Sequence, residues 1–309
     1  MIVTEQQRMK NLSVPNGRID VVLDTDAYNE IDDPFAIAYL LRSKEKLNTV
    51  ALYAAPFHNA RSSGPEDGME KSYAELQKVL NLAGEIVPTF RGSKIYLPDE
   101  STPVVSDAAK DLAQRAESYS PENPLYVVAI GAITNVASAI LLNPAVAENT
   151  VVVWLGGHSL EYGDCREFNL YQDVAAGRVV MGCGVPFVQL PCKGVVSAFT
   201  VSKPELEYWF QGTTELGEYL AENTVKAADS YAKGMPWTRV IWDVTAVAWL
   251  LNDNDRFMFS RLLPTHLPSY SNHYELNQNA PLMRYVYSIR RDALLRDLIE
   301  KITGTTLPR

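Results

Sequence analysis

Residues 19–41 read IDVVLDTDAYNEIDDPFAIAYLL, and the order of chemistry along them sets the fold class. The apolar, β-branched run at 19–23 predicts a strand. A helix is predicted at 33–42, with Phe35, Ile37, Ala38, Leu40 and Leu41 as its buried face. Asp32 and Asp33 stand at its start, where the backbone dipole favours negative charge. The alternation continues outward, with strands predicted at 50–54, 86–90, 125–130, 151–155 and 187–190. Helices are predicted between them at 70–82, 107–119, 135–142 and 173–181. These strands are apolar throughout, as strands covered on both faces are. Strand–helix–strand repetition implies right-handed crossovers. The expectation is an α/β fold: an open, mostly parallel sheet with helices on both faces.

The last third predicts helices at 204–223, 243–251 and 287–302, so residues 252–309 read as a mainly helical C-terminal region. His266, His273 and Arg284 are assigned there to a candidate lid, and Arg290, Arg291 and Arg296 to a solvated helix face. Residues 1–17 read as an N-terminal extension. No repeat or linker divides the chain, so its 309 residues are expected to form one domain. With 47% apolar and 21% charged residues the composition is globular. The 28 basic and 37 acidic residues leave a net charge of −9, which disfavours nucleic acid as a partner. Three cysteines (Cys165, Cys183, Cys192) without C-x-x-C spacing argue against a disulfide framework or structural zinc. There is no signal-peptide pattern at the N-terminus and no long apolar run, so a soluble, cytoplasmic protein with no membrane partner is expected.

In open parallel sheets ligands bind beyond the C-terminal strand ends. Asp24 and Asp26 lie there, two residues apart, followed by a turn with Asn29 and Glu30 and then by Asp32 and Asp33. Aspartates this close repel one another in a cleft unless a hard cation joins them, and an all-oxygen set suits calcium or magnesium. The alternative makes them a solvated turn and helix cap.

LDTDAYNEIDDPFAIAYLL resembles the D-x-D-x-x-x-D-D signature of the calcium-dependent, inosine–uridine-preferring nucleoside hydrolases, although five residues separate its acidic pairs where the usual loop has three. VVAIGAITNVASAI is similar to the family's Gly-x-Leu-Thr-Asn stretch, and WLGGHSLEYGDCREFNLYQDVAAGRVV to its glycine pair, Glu-Phe-Asn and Asp-x-x-Ala-Ala helix. IWDVTAVAWLL is similar to its His-Asp or Trp-Asp segment, so the resemblance runs from 19 to 251.

The resemblance implies a Rossmann-like nucleoside hydrolase fold and cleavage of ribonucleosides to free base and ribose. It assigns Asp26, Asp33, Asp243 and the Ile130 carbonyl to Ca2+, with Asp26 also the base that activates a calcium-bound water. Asp32, Glu167 and Asn169 would hold ribose hydroxyls, and Asp24 would support the loop. Either His58 or Asn59 would supply a further ribose contact, whereas a sugar-contacting Asn shortly before Glu-Phe-Asn has no clear counterpart. Trp242 stands where many members have His; it reads either as a purine-stacking aromatic that assists the leaving base or as a core aromatic paired with Trp249. A homo-oligomer, dimer or tetramer, is also implied.

Two other functions fit parts of the sequence. VVLDTDA resembles the strand-end D-x-D of haloacid-dehalogenase-type Mg2+-dependent phosphatases, but the later acidic pair that chemistry needs is represented only by Glu66–Asp67 in a Pro/Gly loop. A non-catalytic protein that binds a ribosyl ligand on the same scaffold is the other. Cys165, with no neighbouring His, reads as structural.

Overall fold

In the computed structural model, which describes residues 4–308, the apolar run after Arg18 forms β1 (Ile19–Thr25) at the middle of an eight-stranded sheet. The strands β2 (Leu47–Ala54), β3 (Thr89–Arg91), β4 (Leu125–Ala129), β5 (Thr150–Leu155) and β6 (Phe187–Leu190) follow, each parallel to its sheet neighbour. A short antiparallel pair, β7 (Thr200–Ser202) and β8 (Thr238–Val240), stands apart. So does a second, β10 (Leu267–Pro268) with β11 (Tyr274–Glu275). Two further strands, β9 (Met258–Pro264) and β12 (Leu282–Ile289), complete the sheet in the order β3-β2-β1-β4-β5-β6-β12-β9. Only the edge strand β9 runs antiparallel, against β12.

Side chains alternate across the pleat and so split the core in two. Val21 and Leu23 point into one layer while Val22 points into the other. Helices α1 (Glu5–Asn11), α2 (Asp33–Leu41), α3 (Pro65–Ala83), α4 (Asp107–Arg115), α5 (Thr134–Leu142) and α6 (Ala145–Asn149) occupy the first half of the chain. The second half carries α7 (Phe168–Gln172), α8 (Val174–Gly182), α9 (Lys203–Trp209), α10 (Glu215–Ala232), α11 (Val244–Leu250) and α12 (Arg291–Thr303). Residues of α2, α3 and α9–α12 bury the first layer, and those of α4, α5 and α8 the second. Fully burying one such aliphatic side chain contributes about 1.5–3 kcal/mol. None of these helices, among the described residues, is long and apolar enough to cross a membrane.

The winding explains where a ligand can enter. From β1 the chain moves through β2 to β3 on one side, then returns to place β4 on the other. Ala55 N still donates to Thr25 O (2.8 Å) and Ile130 N to Asp24 O (2.9 Å), after which the two connections part. The crevice at this switch point lies beyond the ends of β1 and β4.

Four sequence expectations are corrected. The helix expected at 204–223 is two, α9 and α10, separated by a turn in which Gly212 takes φ 69° and Thr214 caps α10. Residues 287–289 belong to β12 rather than to a helix, and with β9 they make the 252–309 region a sheet extension as much as a helical one. Arg284 therefore sits in the sheet, its Nε donating to Leu12 O at 2.8 Å, and His266 is buried, which fits neither to a lid. Arg291 and Arg296 are also not simply solvated. The first donates to Thr200 O and Glu205, the second to Leu307 O and Glu300.

The N-terminal segment docks rather than trails. Arg8, 9% exposed, donates to the carbonyls of Gly184, Val185 and Leu282. Hydrogen bonds from a buried charged donor are worth more than neutral ones, so Arg8→Ala should lower unfolding free energy by about 2 kcal/mol. Urea denaturation followed by fluorescence measures this; an unchanged midpoint would show that α1 adds nothing to the fold.

Candidate active site

The end of β1 carries the site. Asp24 is buried beside α5, where Asn135 Nδ2 donates to its Oδ1 at 2.8 Å. Asn135 Oδ1 in turn accepts from both the backbone N and the hydroxyl of Ser93. Thr25 Oγ1 donates to Asp33 Oδ1 at 2.5 Å, tying the strand end to the first turn of α2. Asp26 is fully buried with neither carboxylate oxygen hydrogen-bonded. A Cβ on Gly131 would lie 3.0 Å from its Cγ and Oδ1, so the bare backbone after β4 makes the room it occupies.

Asp243 joins this group from the other end of the chain. It directly precedes α11, which packs on α2, and its backbone N donates to Asp32 Oδ2 at 3.3 Å across 211 residues of sequence. Carboxylate oxygens of Asp32, Asp33 and Asp243 lie within 4.8 Å of one another, and all three residues are buried. Asp32 and Asp243 both hold the cap position of their helices, yet neither side chain caps. The solvated-turn-and-cap alternative therefore fails: the carboxylates are buried and leave the helix N–H groups to others. The resemblance put Asp32 on the sugar and Asp26 on the metal; in the structure Asp32 belongs to the convergent trio and Asp26 adjoins it.

The electrostatics follow from that crowding. Burial pushes the Asp24 carboxyl up to about 7. Burial likewise raises Asp33 to about 6, against hydrogen bonds from Thr25 and its neighbours that pull it down. Asp26, Asp32 and Asp243 are held well above the ordinary carboxylate range, first by desolvation and then by repulsion within the cluster. At an effective dielectric of about 20, like charges 4.8 Å apart repel by about 3–4 kcal/mol. A bound divalent cation offsets this, and the unpartnered oxygens of Asp26, with the trio, are a donor set of the hard-oxygen kind.

Beside the cluster opens a cleft of about 370 Å³, lined by Asn29, Glu30, Asp32, Asn59, Ile130, Trp242 and Asp243 together with His158, Arg166, Phe168, Cys192 and Lys193. Asp26 and Asp33 do not line it. Glu167 and Asn169 do, but both have structural work: Glu167 accepts from the backbone N of Gly157, Asn169 and Leu170, capping α7. Asn169 Nδ2 donates to the carbonyls of Ile130 (3.1 Å) and Leu155 (3.0 Å). Of the His58/Asn59 pair, Asn59 faces the cleft and bonds Asn29 Oδ1 at 2.6 Å, whereas exposed His58 donates its backbone N to Gln172. Trp242 is half-buried, packed on the core with one part and open to the cleft with another. Cys165 is buried and its thiol is pushed up to about 11, in keeping with an inert role. Glu66 and Asp67 open α3 rather than sitting in a loop and pair with Lys94 and Lys71.

His158, Arg166, Phe168, Cys192 and Lys193 are cleft residues that sequence reasoning missed. A signal existed: His158 and Cys192–Lys193 follow the ends of β5 and β6, where the strand-end rule directs attention.

In the metal-free chain Asp24 and Asp33 titrate near 7 and 6, above the 3.8 of a free carboxyl. The native state thus holds protons that the unfolded chain has released, and stability is lost as pH rises through this window. In chelator, the melting temperature should fall between pH 5 and pH 7.5, and excess divalent cation should restore it at pH 7.5 far more than at pH 5. A chelated protein whose melting temperature is flat across that range would show that the carboxylates carry no such strain.

Residues 21–277 match the family described as inosine-uridine preferring nucleoside hydrolase. No curated protein sequence matches. Among solved structures, a plant nucleoside hydrolase is similar at 19% identity and a TM-score of 0.73, over 94% of this chain and 100% of that one. A purine-preferring ribonucleoside hydrolase from Gardnerella vaginalis is similar at 18% identity and 0.72, over 92% and 98%. The type III effector protein XopQ, complexed with adenosine diphosphate ribose, is similar at 16% identity and 0.72, over 98% and 99%. With the family match covering most of the chain and the fold agreeing throughout, this protein belongs to the inosine–uridine preferring nucleoside hydrolase family, and it is an N-glycosyl hydrolase of ribonucleosides.

Proposed function

We propose that the enzyme is calcium-dependent and prefers purine ribonucleosides. The observation that carries this reading is the convergence of Asp32 and Asp33, at the start of α2, with Asp243, beside a cleft that Asp32, Asp243 and its neighbour Trp242 line. Asp26, Asp33, Asp243 and the Ile130 carbonyl would hold the ion, with Asp32 adjoining. When bound, calcium supplies charge to orient two vicinal hydroxyls and acidifies water.

The chain's own groups do the rest. Asp26 has both oxygens free of protein partners, so it is available to accept a proton from the attacking water. The water oxygen adds to C1′, the bond from C1′ to the base nitrogen breaks with its electron pair going to the base, and the base is protonated. The ribose gains oxocarbenium character in between, and the crowded carboxylates stabilise that positive charge. Asn59 and Asn169, both on the cleft wall, and Glu167 are the candidates for the sugar hydroxyls. Trp242 offers an indole face for the base; stacking there favours protonation of the leaving ring. Core packing and stacking are compatible for this residue, since it is only half-buried.

A panel of nucleosides assayed for reducing sugar, with and without chelator, tests the reading. Inosine, adenosine and guanosine should be cleaved faster than uridine, and chelation should abolish turnover until calcium is restored. Asp26→Asn should lower kcat by about 10²–10⁴-fold while retaining ligand. Trp242→Ala should cut the purine-over-pyrimidine ratio by about tenfold, through the loss of stacking. Tight nucleoside binding with no turnover, unaffected by Asp26→Asn, would instead favour a binding protein on this scaffold.

A further inference from the structure

We infer that His158, Arg166 and Lys193, on the lining of the cleft, form a subsite for a phosphoryl group, so that the preferred substrates are ribonucleosides carrying a 5′-phosphate. The inference rests on the hydrolase reading above and deepens it by naming the substrate class.

Arg166 and Lys193 are exposed cations on the lining, and among the described residues neither has a carboxylate partner. The Arg166 guanidinium lies over the Tyr171 ring, 5.0 Å from its centroid, an arrangement that restrains the group and leaves its N–H fork open. Neighbouring acids are already engaged: Glu30 with Arg239, Glu161 with Arg261, and Asp164 as acceptor from the Arg166 backbone N. His158 is only 5% exposed, yet its Nδ1 has no hydrogen-bond partner. A buried ring nitrogen without a partner is costly unless a ligand or water completes it. Burial disfavours protonation of this ring, and the nearby Lys193 charge adds to it, against Asp164 and a hydrogen bond with the Arg166 backbone. The ring thus presents an open nitrogen on a lining that also carries Arg166 and Lys193.

A neutral nucleoside makes no use of two unpaired cations at a site whose other charged lining residues, Glu30, Asp32, Glu167 and Asp243, are acidic. A phosphoryl dianion does, through charge-assisted hydrogen bonds to the arginine fork and the lysine. The two polarities also sort the ligand: aspartates and a divalent cation for the diol, cations for the phosphate. The 370 Å³ of the cleft falls within the range of small-ligand sites. Hydrolysis would leave the phosphate on the sugar, giving ribose 5-phosphate and free base.

The test compares inosine with inosine 5′-monophosphate on the calcium-loaded full chain. The monophosphate should have the higher kcat/KM by about tenfold or more at low salt, about 1.4 kcal/mol of added recognition. That ratio should shrink as salt is raised. In Arg166→Gln/Lys193→Gln it should fall to about one, whatever the absolute rates. A wild-type ratio of one or below overturns the inference, as does a ratio that survives in the double variant. If the double variant alters calcium affinity and leaves the ratio untouched, the cations serve the acidic residues, and the inference fails. Should neither compound be hydrolysed, the hydrolase reading fails, but equilibrium dialysis still decides the subsite. Tighter binding of the monophosphate, lost in the double variant, upholds it, and equal binding of the two compounds rejects it.

Discussion

Carboxylates gathered out of water cannot all keep their charge, and the active end of this protein is arranged around that constraint. Asp26, Asp32, Asp33 and Asp243 are each no more than 4% exposed. A chain selected for stability alone would not bury them together, because each unpaired charge in a low-dielectric interior is expensive. The surrounding residues accept that cost in specific ways. Thr25 donates to Asp33, Gly131 withholds a side chain, and Asn135 holds Asp24 against α5. What these supports leave without a hydrogen-bond partner are both Asp26 oxygens and Asp24 Oδ2.

The scaffold makes such strain tolerable. The sheet is covered on both faces, and the strand order reverses between β2 and β4 on either side of β1. The reversal opens a crevice without breaking the ladder, so the site costs the core little apolar contact. The connections that follow β4, β5 and β6 then bring Ile130, His158, Cys192 and Lys193 to the same opening. Glu30, Asp32, Glu167 and Asp243 line that opening as acids, and Arg166 and Lys193 as cations.

Much of this was legible in residues 19–41 alone. Continuous apolar runs and helical periodicity are local consequences of burial on both strand faces, so β1, β2, β4, β5 and β6 were found within a few residues. The errors lay where local pattern and tertiary role diverge. Residues 287–289, expected as the start of a helix, are the end of LMRYVYSI at 282–289, which pairs with β6 and β9 because an open sheet edge and the β9 partner were waiting for it. The turn at 210–214 was hidden because Gly212 and two threonines interrupt a helical pattern without a proline to announce the break.

For the site, the acidic pairs, Glu-Phe-Asn and Trp-Asp could each be read from the chain, because spacing within a turn or a helix start is a short-range property. The sequence by itself determined the parallel α/β class, the strand-end aspartates and their family. It could not say that Asp32 would stand with Asp33 and Asp243 while Asp26 adjoined them, nor that Asn59 rather than His58 would face the cleft. Nor could it set His158 beside Lys193, since they are brought together by the pairing of β5 with β6 and by bonds between the loops that follow, Ser159 N to Lys193 O and Cys192 N to Gly157 O. Distances across such pairings depend on how strands register and helices pack, and those are properties of the folded core rather than of any segment of it.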